Sequence, residues 1–282
     1  MFSKINRKVI IGSAVFIAIG TAVSMAGATH SWGGYHWART ANPFTLKLGD
    51  NVSGVWDPYL VMASSDWSVA AANSFGFPGV LNTQIVPGIA LRHRSPNLDC
   101  SPVSGTVQVC NKTYGKNGWL GLASIWASGS HITQGTAKLN DTYFNKSPYN
   151  TSAWKRLVMC QEVAHTFGLD HQDDFFDNAN LGTCMDYTND PDGGAGGFSP
   201  DDPSNEQPNT HDYEELGIIY SHLDSTTTIG STAPSGKHAE IDSSDPKAWG
   251  REIHKSKDGR SSLFERDFGG GRKMFTFILW AR

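Results

Sequence analysis

The chain has 282 residues, 39% hydrophobic and 11% aromatic, which is ample for a packed core and excludes a wholly disordered protein. Only 18% of residues are charged and the formal net charge is −4, so the chain lacks the basic footprint that nucleic-acid partners demand. The charge is uneven: Lys4, Arg7 and Lys8 stand alone before residue 29, residues 29–236 carry ten basic and twenty acidic side chains, and residues 237–282 carry ten basic and seven acidic.

Those three early cations precede an apolar stretch from Val9 to Val23, and Ala26, Gly27 and Ala28 supply the small-residue pattern of a cleavage site. Residues 1–28 therefore read as a secretory signal, with an uncleaved membrane anchor as the alternative, since the uncharged run to Ala28 is just long enough to span. No later segment is apolar enough to cross a bilayer, so the mature protein is expected to be extracellular, free of the membrane and monomeric. Export favours disulfides, and four cysteines permit three pairings. We take Cys100 with Cys110, closing a short Ser, Pro and Val-rich loop, and Cys160 with Cys184. Four Asn-x-Ser/Thr sequons begin at Asn51, Asn111, Asn145 and Asn150 and count only in a host that glycosylates secreted proteins.

Phe44 to Leu48 alternates apolar and polar residues as a half-buried strand does. Asp57 followed by Pro58 predicts a helix start, and Leu60, Ala63, Trp67 and Ala70 fall at helical spacing through Ala72, backing onto a sheet. Thr83 to Leu91, Gly118 to Trp126 and Ile132 to Leu139 read as strands, the last polar enough to be an edge. Ser152 can cap a second helix that buries Trp154, Leu157, Val158 and Phe167 and ends at Gly168. Residues 172–210, crowded with Asp, Asn, Gly and Pro, predict ordered loop, followed by a helix from about Asp212 to Leu223. Ser225 to Lys237 has the composition of a linker. In the extension 238–282, Leu263 to Phe268 and Met274 to Trp280, separated by three glycines, predict a hairpin that needs something to pack on.

The stretch that carries chemistry runs from Gln161 to His171. On a helix Gln161 and His165 lie one turn apart with Glu162 beside them, and Gly168 lets the backbone turn so that His171 swings back. Zinc needs about three protein donors converging in this way, with a fourth position open to water. The residues resemble the metzincin zinc endopeptidases, whose signature is HExxHxxGxxH followed by a Met-turn. The chain matches at Glu162, His165, Gly168 and His171, and fourteen residues beyond His171 comes Met185, with Tyr187 two places on. The resemblance spans residues 40–224 and is specific in the motif, architectural elsewhere.

The resemblance implies an α+β fold over residues 29–224: a twisted, mostly parallel sheet with an antiparallel edge strand, a backing helix, an active-site helix and an irregular carboxy-terminal part ending in a helix. It implies a zinc ion held by Gln161, His165 and His171, Glu162 as general base, Tyr187 as hydrogen-bond donor to the oxyanion, and Gly168 and Met185 as structural residues. A protein or peptide substrate would add as a strand to the edge at Ile132–Leu139. A bridge from Cys160 to Cys184 would staple the Met-turn to the active helix.

The chain departs from the signature at Gln161, where the family has histidine. An amide oxygen is a harder and neutral donor that holds zinc more loosely than imidazole. Three outcomes stay open: Gln161 ligates, a histidine such as His131 or His211 substitutes, or the protein is a non-catalytic binding module on the same scaffold. Cys160 and Cys184 are alternative zinc ligands if reduced. Asp170, Asp173, Asp174, Asp177, Asp190 and Asp192 offer the hard oxygens that calcium takes, although no EF-hand spacing occurs and a solvated loop has the same composition.

Overall fold

In the computed structural model, residues 30–89, 100–194, 200–232 and 241–281 are described. The signal-like segment 1–28 lies outside them, as do the end of the strand expected to reach Leu91 and most of the glycine run at 193–197. Strand β1 is His36–Trp37, and β2, Phe44–Asn51, alternates buried and exposed side chains along its first half as its sequence does. The helix expected over 57–72 is two: α1, Asp57–Asp66, and α2, Val69–Ser74. Between them the Trp67 indole turns inward and donates to the carbonyl of Cys160 at 3.1 Å, tying the backing helix to the motif helix.

Strands β3 (Leu81–Pro87), β4 (Thr106–Lys112), β5 (Trp119–Ser128) and β6 (His131–Asn140) follow. A short helix α3, Asp141–Phe144, then leads to α4, Ser152–His165, whose cap is Thr151, one residue earlier than the sequence suggested, accepting from the Trp154 amide at 3.2 Å. Helix α5 is Thr210–Ile219, opened by an Asn209/Asp212 capping box. The carboxy-terminal extension supplies β7 (Arg251–Lys255) and the hairpin β8 (Ser261–Gly269) and β9 (Arg272–Trp280).

The order across the sheet is β3-β2-β4-β6-β5-β9-β8-β7, with β1 parallel to the start of β6. Strands β3, β2, β4 and β6 are mutually parallel, and β5 runs antiparallel to β6. The fold is thus a mixed α+β arrangement around one sheet with few helices. The expected hairpin forms, and what it packs on is the outer side of β5: β9 pairs antiparallel with β5 along its whole length.

Two expectations are corrected. The segment 106–112, read as part of a disulfide-closed loop, is the interior strand β4. The segment 132–139, read as an edge because of its polar residues, lies in β6, between β4 and β5. Its Gln134, Thr136 and Lys138 side chains are buried, not solvated. Lys138 meets Asp242 of the extension at 3.4 Å and lies over the Tyr114 ring. The antiparallel strand is β5, and the extension covers its outer side.

Beyond α5 the Ser/Thr-rich stretch is held to the body: Thr228 donates its amide to Ala38 at 3.0 Å and Gly230 donates to Gly105 at 2.9 Å. Both disulfides taken from the sequence form, Cys100–Cys110 and Cys160–Cys184, with no free cysteine. No helix among the described residues is long and apolar enough to cross a membrane.

Candidate functional site

Helix α4 carries its motif residues inward, and Gln161, Glu162 and His165 are each 1% exposed. Glu162 fits because β5 has a glycine opposite it: a Cβ at Gly121 would stand 2.3 Å from Glu162 Oε1. Gly168 ends the helix at φ +102°, and a Cβ there would stand 2.3 Å from the Tyr35 carbonyl oxygen, so both the backbone region and the available space call for glycine. After this bend Ser31 and Leu169 form an antiparallel bridge, and the chain returns toward α4.

The return brings His171 Nε2 to 3.1 Å from His165 Nε2. Two imidazole nitrogens bound to one tetrahedral zinc at about 2.0–2.1 Å lie about 3.3 Å apart. The rear nitrogens are occupied: His165 Nδ1 meets the Leu169 carbonyl at 2.9 Å, and His171 Nδ1 meets Asp170 Oδ1 at 3.3 Å. That arrangement presents both Nε2 atoms forward, as an acceptor behind the ring does for a metal-binding histidine.

Gln161 donates its amide nitrogen to the Cys184 carbonyl at 2.9 Å. A carbonyl oxygen must face the NH2 group, so this contact fixes which way the amide points and frees Oε1. Gln161 Oε1 and Glu162 Oε2 are both buried without a hydrogen-bond partner. Unsatisfied buried oxygens are costly, and the Gln161 amide oxygen, one helical turn before His165, is a donor of the type a divalent cation takes.

Electrostatics follow from burial. Glu162 is pushed well above the ordinary carboxyl range. Burial, reinforced by His171, lowers His165 to about 3, which keeps the imidazole neutral and its lone pair available. Burial also works against the charge on Asp170, but the hydrogen bond and charge of His171 outweigh it and hold Asp170 below its usual value.

Met185 sits fully buried in a turn whose Thr183 hydroxyl accepts the Met185 amide at 2.9 Å and donates to Asp212. The Cys160–Cys184 bridge joins this turn to α4. Tyr187 lays its ring over His171, centroids 3.9 Å apart, and stacks on Phe176 at 4.5 Å. Its hydroxyl engages Ser261 of β8, and burial raises its pKa far above the phenolic norm despite that hydrogen bond.

The carboxy-terminal hairpin closes the site. Phe277 of β9 stacks on His165 with centroids 4.2 Å apart and planes 7° from parallel. Trp32 packs against Phe275 and Phe277, so the segment before β1 joins the cover. Arg260 lies 3.8 Å over the Phe176 ring, and His254 meets Asp174 at 3.0 Å. This cover is not legible in the chain, because the pattern of β9 identifies a strand but not its partner.

Of the histidines considered as substitutes, His131 contacts Asp224 at 3.1 Å, and His211 stacks on His30 at 4.7 Å. The acidic residues of the loop serve it locally: Asp173 accepts from the Phe175 amide and Asn178, and Asp177 accepts from Asn189. Compared with family models, curated proteins and solved structures, the chain finds no match in any of the three.

Proposed function

We propose that the protein is a secreted, metzincin-like zinc endopeptidase held latent by its own carboxy-terminal strand. The observation that carries the reading is the 3.1 Å approach of His165 Nε2 to His171 Nε2, on a helix whose Gln161 Oε1 and Glu162 Oε2 are buried without partners. Gln161, His165 and His171 would hold the ion, which when bound would supply Lewis acidity to a water molecule and to the scissile carbonyl. Glu162 accepts the proton from that water and passes it to the leaving amine, and the low-polarity wall around its carboxyl suits a group that must hold a proton between the two steps. Tyr187, once its hydroxyl leaves Ser261, donates to the developing oxyanion.

The substrate's place is the outer side of β5, where an extended peptide would pair antiparallel and pass over the zinc. In the latent state β9 fills that position in the same sense, with Phe277 over His165. Latency accounts for a complete set of donors and a proton shuttle beneath a closed surface. A second reading, a non-catalytic binding module, draws on that closure and on Gln161.

Zinc content and hydrolysis of unfolded casein separate the two. The mature chain is expected to lose one zinc per chain on H165A/H171A, and Gln161→His is expected to bind zinc more tightly. Glu162→Ala is expected to retain zinc while abolishing whatever cleavage its parent shows. Equal zinc content in wild type and H165A/H171A would sink the peptidase reading.

A further inference from the structure

A second cluster lies away from the motif, where three distant parts of the chain meet. His36 comes from β1, His131 from the start of β6, and His222 and Asp224 from the segment after α5. The parallel pairing of β1 with β6 places His36 and His131 as register partners. Arg39 then fixes the returning segment: its amide donates to Asp224 Oδ2 at 3.1 Å, its guanidinium reaches the same oxygen at 3.0 Å, and its other arm bonds the His222 carbonyl.

With Oδ2 taken by Arg39, Asp224 Oδ1 faces three imidazoles. It stands 3.1 Å from His131 Nε2, 3.5 Å from His36 Nε2 and 3.8 Å from His222 Nε2, while His36 and His222 approach to 3.1 Å, Nε2 to Nε2. The donor atoms of His36, His131 and Asp224 all lie within 4.8 Å of one another. Four donors around one tetrahedral zinc, at about 2.0–2.2 Å each, stand about 3.3–3.5 Å apart, and the three contacts to Asp224 and the one between His36 and His222, at 3.1–3.8 Å, straddle that edge. The outer shell matches as well: His36 Nδ1 sits 2.9 Å from the Gly34 carbonyl, a contact that commits the ring proton there and leaves Nε2 bare.

We propose that His36, His131, His222 and Asp224 form a structural zinc site separate from the catalytic pair. Three imidazoles select zinc over calcium, and four protein donors leave no open position for water, which marks a structural rather than a catalytic centre. His131 and His222 reach solvent, giving the ion a way in. The site joins β1, the sheet and the end of the body. It also supports the motif helix, because Trp37, next to His36, donates its indole nitrogen to the Thr166 carbonyl at 2.8 Å, one residue past His165.

The test uses the mature chain stripped with EDTA, dialysed and titrated with zinc chloride, with calcium chloride as the control. Bound metal is counted by atomic emission after desalting. The H165A/H171A variant lacks the proposed catalytic pair and is expected to keep one zinc per chain; adding H131A and H222A is expected to remove it, together with the rise in Tm that zinc produces. His222 is exposed, so H222A alone in the wild-type background serves if the multiple variants fail to fold, with zinc affinity at this site down at least tenfold. If H165A/H171A binds no zinc, or H222A and H131A/H222A hold metal as their parents do, the site is a hydrogen-bonded staple and the proposal falls. Loss of zinc confined to H165A/H171A would overturn this site while leaving the peptidase reading standing.

Discussion

Phe277→Ala removes the side chain that covers His165. Phe277 is buried in the main core, stacked on His165 and in contact with Trp32. Truncating such a residue costs about 3–5 kcal/mol, and at about 2–4 °C per kcal/mol for a body of this size the expected fall in Tm is on the order of 10 °C. If that loss falls on the closed position of β9, the fraction of molecules with the strand displaced rises by about two to three and a half powers of ten, since each 1.4 kcal/mol is tenfold. Casein hydrolysis by the zinc-loaded variant should rise steeply over wild type until the open form saturates, and the added substitution E162A should abolish the gain. The reasoning is refuted if Phe277→Ala is folded, destabilised as expected and loaded with zinc, yet cleaves no faster than wild type.

Three other substitutions probe the supports of the site. Gly121→Ala places a methyl group 2.3 Å from Glu162 Oε1 and 2.5 Å from a Val158 methyl, so it should lower cleavage by an opened variant more than tenfold while zinc stays bound; undiminished cleavage would mean Glu162 does not depend on that approach. The Cys160–Cys184 bridge spans a sequence separation of 24, and removing it with paired serines should cost about 3–4 kcal/mol on a chain-entropy estimate, read as a drop in urea midpoint. An unchanged midpoint would show that the turn at Met185 is held by its hydrogen bonds alone. Asp186 is raised to about 7 by burial, against its Leu181 and Asn205 hydrogen bonds and with Asp173 adding to the rise. Its folded value exceeds its unfolded one, so its contribution is complete below about pH 4 and is lost as pH rises toward 7. Asp186→Asn should flatten that part of the Tm profile, and a slope identical to wild type would assign the pH dependence to other groups.

Local sequence made the centre of the site legible. The 161–171 spacing, the turn at Gly168 and the helix cap at 151–152 are decided by neighbours within a few residues, which is why Gln161, Glu162 and His165 share one helix and His171 returns to His165. The hairpin at 261–280 was legible for the same reason, through alternation interrupted by three glycines. Strand β4 was missed because its Cys110 drew it into a disulfide loop, although Val107 and Val109 alternate as a strand requires. The interior position of β6 was missed because Gln134, Thr136 and Lys138 look solvated, and their burial depends on the pairing of β6 with β4 and β5 and, for Lys138, on Asp242 a hundred residues later.

What the sequence determined alone is the helix, its donors, the bend after it and the two strands at the end of the chain, since each rests on residues close enough to interact through the backbone. Only the tertiary structure decided that β9 lies against β5 with Phe277 on His165, and that His36, His131 and Asp224 meet, with His222 against His36. Both depend on which strand edge is left unpaired and on which side chains the packed sheet brings together. Such long-range pairings leave no periodic mark in the chain, because they are set by the summed burial of the whole core.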